Sequence, residues 1–246
     1  MARDGTYPPL DTPKPVAPGV WVVDSGPQRV LGLPFPVRMT VLRLGGDGGG
    51  LWLHSPTRFA PALAEALAAL GPVRHLIAPD TAHWTHLPGW QRAFPEARLW
   101  TAPGVAERAR RQGTRLRSHA DLGEAAPEDW AGEMDQALFT GPGFAEVGFH
   151  HRPSRTLVLT DIVQAMEPAR LPLAMGLLVR AVGSAGPRGG TPVYLRLVLG
   201  RRRAENRGAA ERLLALAPER VVFAHGAWYE ADGAARLRRA LGWLLA

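Results

Sequence analysis

Short apolar runs punctuated by glycine and proline open the chain, each of them about the length of a strand. They fall at residues 19–24, 36–44 and 51–54, and Arg38-Met-Thr-Val-Leu-Arg-Leu44 alternates as a half-buried strand does. Gly45-Gly-Asp-Gly-Gly-Gly50 lies between the second and third runs and predicts a hairpin turn. No lysine stands near it and no helical pattern follows, so it lacks the parts of a phosphate-binding loop. From residue 60 the period changes. Residues 60–70 are rich in alanine and leucine and stop at Gly71, a residue suited to a helix C-terminus. Strand 73–78, helix 87–94, strand 98–102 and helix 105–111 follow in alternation. Strands are expected again at 137–140, 145–150 and 156–160. Helices are expected at 169–181, 194–199 and 203–217, then a strand at 221–224 and a closing helix over 233–245. Two strand-rich stretches, each followed by helix and strand units, predict sheets packed together and covered by helices.

Composition sharpens this picture at a few points. The chain has 246 residues, 46% hydrophobic and 21% charged, which suits a globular fold and argues against disorder. Residues 1–18 hold five prolines and are expected to form an extended, poorly ordered lead-in, with a single domain over 19–246. No apolar run is long enough to span a bilayer, and the first residues lack the apolar stretch of a secretory signal, so no membrane partner and a cytoplasmic location are expected. Cysteine is absent, which excludes disulfides, thiolate nucleophiles and cysteine-ligated zinc. Any bound metal is therefore held by nitrogen and oxygen. The net charge of +7 comes from arginine, since Lys14 is the one lysine. Arg108, Arg110, Arg111, Arg115 and Arg117 form one cluster and Arg201 to Arg203 another. Without lysine, or aromatic residues interleaved with these arginines, nucleic acid is the least favoured partner.

The candidate chemistry sits where apolar strands end. Three segments place histidine or aspartate directly after a strand: Leu76-Ile-Ala-Pro-Asp80-Thr-Ala-His83-Trp-Thr-His86, Thr156-Leu-Val-Leu-Thr-Asp161, and Val221-Val-Phe-Ala-His225-Gly226. Ligands collect outside the carboxyl ends of strands, where loops converge. Taken singly, His83 and His86 read as turn residues, Asp161 as a helix cap and His225 as a partner for a nearby carbonyl. The same placement three times favours a shared N/O site for Zn²⁺, Fe²⁺ or Mn²⁺. Asp80 reads as a turn aspartate, Glu146 as either solvent-facing or aimed at the site, and His150 and His151 as surface residues.

The order of these motifs resembles that of the metallo-β-lactamase-fold superfamily, and within it a branch of bacterial and plant proteins of unassigned function. The stretches that carry the resemblance are Leu51-Trp-Leu-His-Ser-Pro-Thr57, His75-Leu-Ile-Ala-Pro-Asp80, Phe94-Pro-Glu-Ala97, Ser154-Arg-Thr-Leu-Val-Leu-Thr-Asp161 and Glu219-Arg-Val-Val-Phe-Ala-His-Gly226. The resemblance runs from about Val20 to the C-terminus. It implies an α/β fold, a four-layer αβ/βα sandwich with a metal site at the edge between the sheets.

The superfamily's first metal motif, H-x-H-x-D-H, aligns with Thr81-Ala-His83-Trp-Thr85-His86. His83 and His86 match two histidines, while Thr81 and Thr85 stand where a histidine and the aspartate belong. A further histidine is expected near Phe144. Asp161 matches the carboxylate that bridges two metals and His225 the final histidine, while His54 replaces a strand-end aspartate. What the resemblance implies is a thinned metal site: His86, Asp161 and His225 as ligands, His83 as a fourth or in support, and Asp161 also catalytic. The expected cofactor is zinc, or iron or manganese, at full or low occupancy, or none. The expected function is a metal-dependent hydrolase of an ester, lactone or phosphoester, with a small-molecule substrate. The alternative is a non-catalytic member of the fold that serves as a binding or interaction module.

Overall fold

Two sheets organise the computed structural model, which describes residues 4–30, 32–45 and 49–246. The first has seven strands, in the order β1 (Lys14–Ala17), β2 (Val20–Val30), β3 (Leu33–Leu44), β4 (Gly50–His54), β5 (Val73–Ala78), β6 (Arg98–Thr101) and β7 (Ala120–Asp121). Strands β1 to β4 run antiparallel and β4 to β7 parallel. The second sheet, from β8 (Met134–Gly141), β9 (Phe144–His151), β10 (Thr156–Val158) and β11 (Arg220–Val222), has the order β11-β10-β9-β8. Only β10 and β11 are parallel in it.

Helices α1 (Pro61–Ala68), α2 (Leu87–Ala93) and α3 (Val105–Arg111) connect the parallel strands of the first sheet and share its core through Leu63, Leu67, Leu87, Trp90, Val105 and Ala109. Helices α4 (Leu173–Ala181) and α5 (Val193–Leu199) precede α6 (Arg203–Ala215), α7 (Gly233–Ala240) and α8 (Gly242–Leu245). The last three cover the second sheet: Leu213, Leu237 and Leu244 pack with Leu157, Val221 and Phe223. The sheets meet face to face. Trp52 of β4 lies edge-on to Phe149 of β9, with ring centroids 4.9 Å apart, and T-stacks on Trp130. This is the αβ/βα sandwich.

Several expectations are revised. Part of the lead-in is tied down: Lys14–Ala17 pairs with β2, and the Gly5 N–H donates to the Arg170 carbonyl at 3.0 Å. The expected glycine-rich turn falls on residues 46–48, outside the described residues, although Leu44 does pair with Gly50. Strand β3 is more than half buried: from Arg38 to Leu44 only Arg43 is exposed. The closing helix divides into α7 and α8 at Leu241, just before Gly242, a residue of poor helix propensity. His150 and His151 are buried, because β9 is flanked by β8 and β10 and covered on both faces.

Buried histidines give the fold an acid limit. The His75 Nδ1 accepts the Trp100 indole N–H at 3.1 Å, which keeps that ring neutral. The His151 Nδ1 lies 2.7 Å from the Ser154 hydroxyl. Burial pushes both rings down to about 4, with only Asp129 pulling His75 the other way and His150 adding to the shift at His151. Unfolded histidine titrates near ~6.5, so below that pH the unfolded chain takes up protons that the folded chain refuses. Stability is therefore full above pH ~6.5 and is lost as pH falls toward ~4. Thermal melts between pH ~7.5 and ~4.5 should show this decline, and His75→Gln, which keeps an acceptor for Trp100, should flatten part of it. A melting temperature constant across that window would contradict the assignment.

Candidate metal centre

Two pairs of parallel strands, β4–β5 in one sheet and β10–β11 in the other, end at one edge of the sandwich. Ser55 follows β4, Asp80 and His83 follow β5, Asp161 follows β10 and His225 follows β11. These loops bring His83, Asp161 and His225 together, with one ligand atom from each lying within 4.8 Å of the others. The His83 Nε2 is 3.1 Å from the His225 Nε2 and 3.6 Å from the Asp161 Oδ1. The His225 Nε2 is 3.1 Å from that same oxygen.

Both rings are held from behind. The His225 Nδ1 donates to the Pro36 carbonyl at 2.6 Å, and the His83 Nδ1 lies 2.6 Å from the Ser55 hydroxyl. A metal-binding imidazole is oriented in this way, by an oxygen on its far nitrogen. The His225 loop is fixed by a residue distant in sequence. The Arg38 Nη1 donates to the carbonyls of Phe223 (3.0 Å) and Gly226 (2.6 Å), while its Nη2 pairs with Asp24 at 2.7 Å. Gly226 has φ +97°, and a Cβ there would stand 2.2 Å from the Ala165 backbone, so only glycine fits.

Carboxylates crowd the inner side. Glu146, fully buried on β9, accepts the N–H of Thr160 (2.7 Å), Asp161 (2.9 Å) and Ile162 (3.0 Å) and so shapes the loop that carries Asp161. Asp80 accepts the N–H of Ala82 and His83 with one oxygen. Its other oxygen is buried without a hydrogen bond, 4.0 Å from the His83 Nε2. Burial, with Asp80 and Asp161 nearby, pushes Glu146 well above the usual carboxylate range. Burial likewise raises Asp80, against the pull of His83. Burial would depress His83, but Asp80 and Asp161 outweigh it and lift the ring to about 9. Burial would also raise Asp161, but His83 and His225 hold it far below the usual range.

A pocket of about 230 Å³ opens over the cluster, lined by Ser55, Thr85, His86, Tyr194 and the apolar side chains of Phe35 and Val37, among others. His86 lines this pocket with His83, Asp161 and His225 but is not one of the three whose ligand atoms lie within 4.8 Å of one another. It stands at the N-terminus of α2, one turn beyond His83. Burial, then Arg58 and His83, lower its pKa. Phe144 lines a different pocket, with Thr81 and Arg108. Among the described residues no second group of three such ligands gathers. His54 is buried against Trp52 and Phe149. Arg38, Glu146 and Ser55 are the site residues that sequence reasoning did not assign. Only Glu146 carried a signal, as a carboxylate in an otherwise apolar strand.

The sandwich and the edge cluster define a metallo-β-lactamase fold. Solved structures agree: a metallo-β-lactamase from Pontibacter korlensis (TM-score 0.60, 14% identity, 94% of this chain and 97% of that one); a putative diflavin flavoprotein fragment from Nostoc sp. (0.64, 14%, 95% and 94%); and the metallo-β-lactamase FIM-1 from Pseudomonas aeruginosa in its mono-zinc form (0.58, 11%, 95% and 94%). The chain belongs to the DUF4336 family, described as a domain of unknown function, whose model matches residues 18–182. No curated protein matches the sequence. Among the described residues no helix is long and apolar enough to cross a membrane.

Proposed function

We propose that this protein binds one divalent cation, zinc in the first instance, through His83, Asp161 and His225, and uses it as a metal-dependent hydrolase. The observation that carries this is the spacing of the three ligand atoms, 3.1, 3.1 and 3.6 Å. Donors about 2.0–2.1 Å from a tetrahedral ion stand about 3.3–3.4 Å from each other, so the group needs little adjustment. Two more features support the fit. Asp80 leaves a buried oxygen without a partner beside His83, and three carboxylates converge there. Both histidines are also oriented through Nδ1, leaving Nε2 for coordination.

A bound ion of this kind supplies a Lewis acid and a water acidic enough to ionise near neutral pH. The chain's residues supply the rest. Ser55 and the Pro36 carbonyl fix the two rings, and Glu146 fixes the Asp161 loop. The apolar wall of Phe35 and Val37 excludes water around an ester, lactone or phosphoester. His86, kept neutral by its surroundings, takes up a proton at the pocket wall in place of the carboxylate that Thr85 lacks. Because His83 must lose its Nε2 proton before it can coordinate, metal affinity should rise with pH toward about 9.

Two substitutions test the assignment together. His225→Ala should lose nearly all metal by elemental analysis, at least about tenfold in affinity. His86→Ala should keep the metal and lose turnover, about 10²-fold or more for a group that moves a proton. If His86→Ala empties the site instead, the ligand set is wrong. The non-catalytic alternative rests on Thr85 itself, a hydroxyl on the pocket wall. Stoichiometric metal without hydrolysis of any ester, lactone or phosphoester would favour it.

A further inference from the structure

The exposed apolar surface of this protein is gathered in one place. Among the described residues, all six exposed large hydrophobic side chains lie on α4 and α5: Leu173, Leu177, Leu178, Val193, Tyr194 and Leu197. Leu173 is 73% exposed and Leu197 70%. The inner side of α4 is otherwise normal, since Met175 and Val179 pack with Leu33 and Phe35. The two helices join where the Val193 N–H donates to the Val182 carbonyl at 2.9 Å. Large apolar side chains exposed in such number on two linked helices mark an interaction site.

The charge along the stretch of chain that carries these helices is equally lopsided. Residues 168–203 contain seven arginines and no acidic residue. The remainder of the chain then holds 22 basic and 22 acidic residues, so this segment accounts for the whole net charge of +7. Arg170 pairs with Glu167, but Arg180, Arg188, Arg201 and Arg202 are exposed and have no carboxylate partner among the described residues. A second copy docking through the same face would set arginine against arginine, because a two-fold interface presents one patch to itself. A nucleic acid would meet the arginines and leave the leucines in water. An anionic lipid bilayer satisfies both, with acyl chains for the leucines and phosphates for the arginines.

We propose that the α4–α5 face docks the protein on the surface of anionic phospholipid membranes, without spanning them. Tyr194 belongs both to this face and to the pocket over His83, Asp161 and His225, so docking sets the pocket mouth beside the bilayer. Tyrosine is favoured at that depth, with its ring among the chains and its hydroxyl at the headgroups.

Co-sedimentation of the full chain with vesicles tests this, using phosphatidylcholine alone and phosphatidylcholine with about a third phosphatidylglycerol. Binding is expected to the second only, and to weaken as salt rises from about 0.05 to 0.5 M. A Leu177→Asp, Leu197→Asp double variant should lose binding about tenfold or more while keeping its circular dichroism and melting temperature, because both side chains already face water. An Arg201→Gln, Arg202→Gln variant should lose less. The proposal is overturned by no binding to anionic vesicles, by vesicle binding unchanged in the leucine variant, or by a dimer in light scattering that the leucine variant dissociates with no vesicle binding in either. Salt-sensitive DNA binding in place of vesicle binding overturns it equally. None of these readouts depends on metal.

Discussion

Replacing Arg38 by methionine is expected to lower the unfolding free energy by about 3–5 kcal/mol, the range for stripping one partner from a buried ion pair. The guanidinium is 3% exposed and spans three structural units. Its Nη1 bonds the Phe223 and Gly226 carbonyls while its Nη2 pairs with Asp24 across the β2–β3 ladder, and only a forked donor can hold the carboxylate and the two carbonyls at once. Methionine fills much of the volume but leaves the Asp24 carboxylate to Lys14 alone. It also leaves two loop carbonyls without their donor. A chain of this size loses about 2–4 °C per kcal/mol, so the melting temperature should fall by roughly 10 °C. The same loop carries His225, so metal affinity should fall with it. An Arg38→Met, Asp24→Leu double variant should recover part of the stability, because the uncompensated charge is gone, but not the affinity. A loss below about 1 kcal/mol for Arg38→Met would mean that water replaces the guanidinium without penalty.

No local pattern in the sequence marks the role of Arg38. Alternation along β3 places it opposite the apolar face, where an arginine ordinarily meets solvent. Its actual surroundings come from residues 185 to 188 positions away, which no local pattern encodes. Ser55 is similar, because its role exists only once β4 and β5 pair in parallel and bring His83 beside it. That His83, Asp161 and His225 gather was legible for a simple reason: each lies in a segment that follows an apolar strand, and strand ends are where loops converge. His83 and His86 could not be ranked from sequence. The turn that separates them decides which ring faces the cluster, and that turn is set by Asp80 binding the Ala82 and His83 N–H groups. Among the elements, β5 and α3 follow their patterns at both ends, because apolar residues and glycine bound them clearly. Strands β1 and β7 were missed. Both are short sheet edges without alternation, and β1 contains Pro15, which only an edge tolerates.

Charge ties the site to its scaffold. Asp80, Glu146 and Asp161 approach one another inside the protein, and the groups that face them are imidazoles and backbone N–H donors. Such a cluster is costly unless cations or hydrogen bonds offset it. The arrangement divides that work. Asp161 faces the histidines, whereas Glu146 is matched by three main-chain donors. An ion held by His83, Asp161 and His225 would relieve what remains.

That division makes Glu146 the second residue with a large expected effect. In Glu146→Leu the N–H groups of Thr160, Asp161 and Ile162 lose their acceptors inside the fold. Each unsatisfied buried donor costs about 1–3 kcal/mol, so the variant should be destabilised by about 4 kcal/mol. Removing a carboxylate beside Asp80 and Asp161 returns part of this by easing repulsion, which keeps the loss below the sum of three full penalties. Glutamine separates the two contributions. One glutamate oxygen serves Thr160 and the other serves both Asp161 and Ile162, so the amide can keep its oxygen on the latter pair and turn its NH₂ toward Thr160 alone. Glu146→Gln should therefore cost about 1–2 kcal/mol, near the value of one hydrogen bond. Because the Asp161 N–H keeps its partner, Glu146→Gln should retain metal, and Glu146→Leu, with the loop released, should lose it about 10–100-fold. Denaturant unfolding and metal titration of the two variants give the comparison. Equal stability of the leucine and glutamine variants would show that the carboxylate's charge, and not its grip on the Asp161 loop, is what the fold requires.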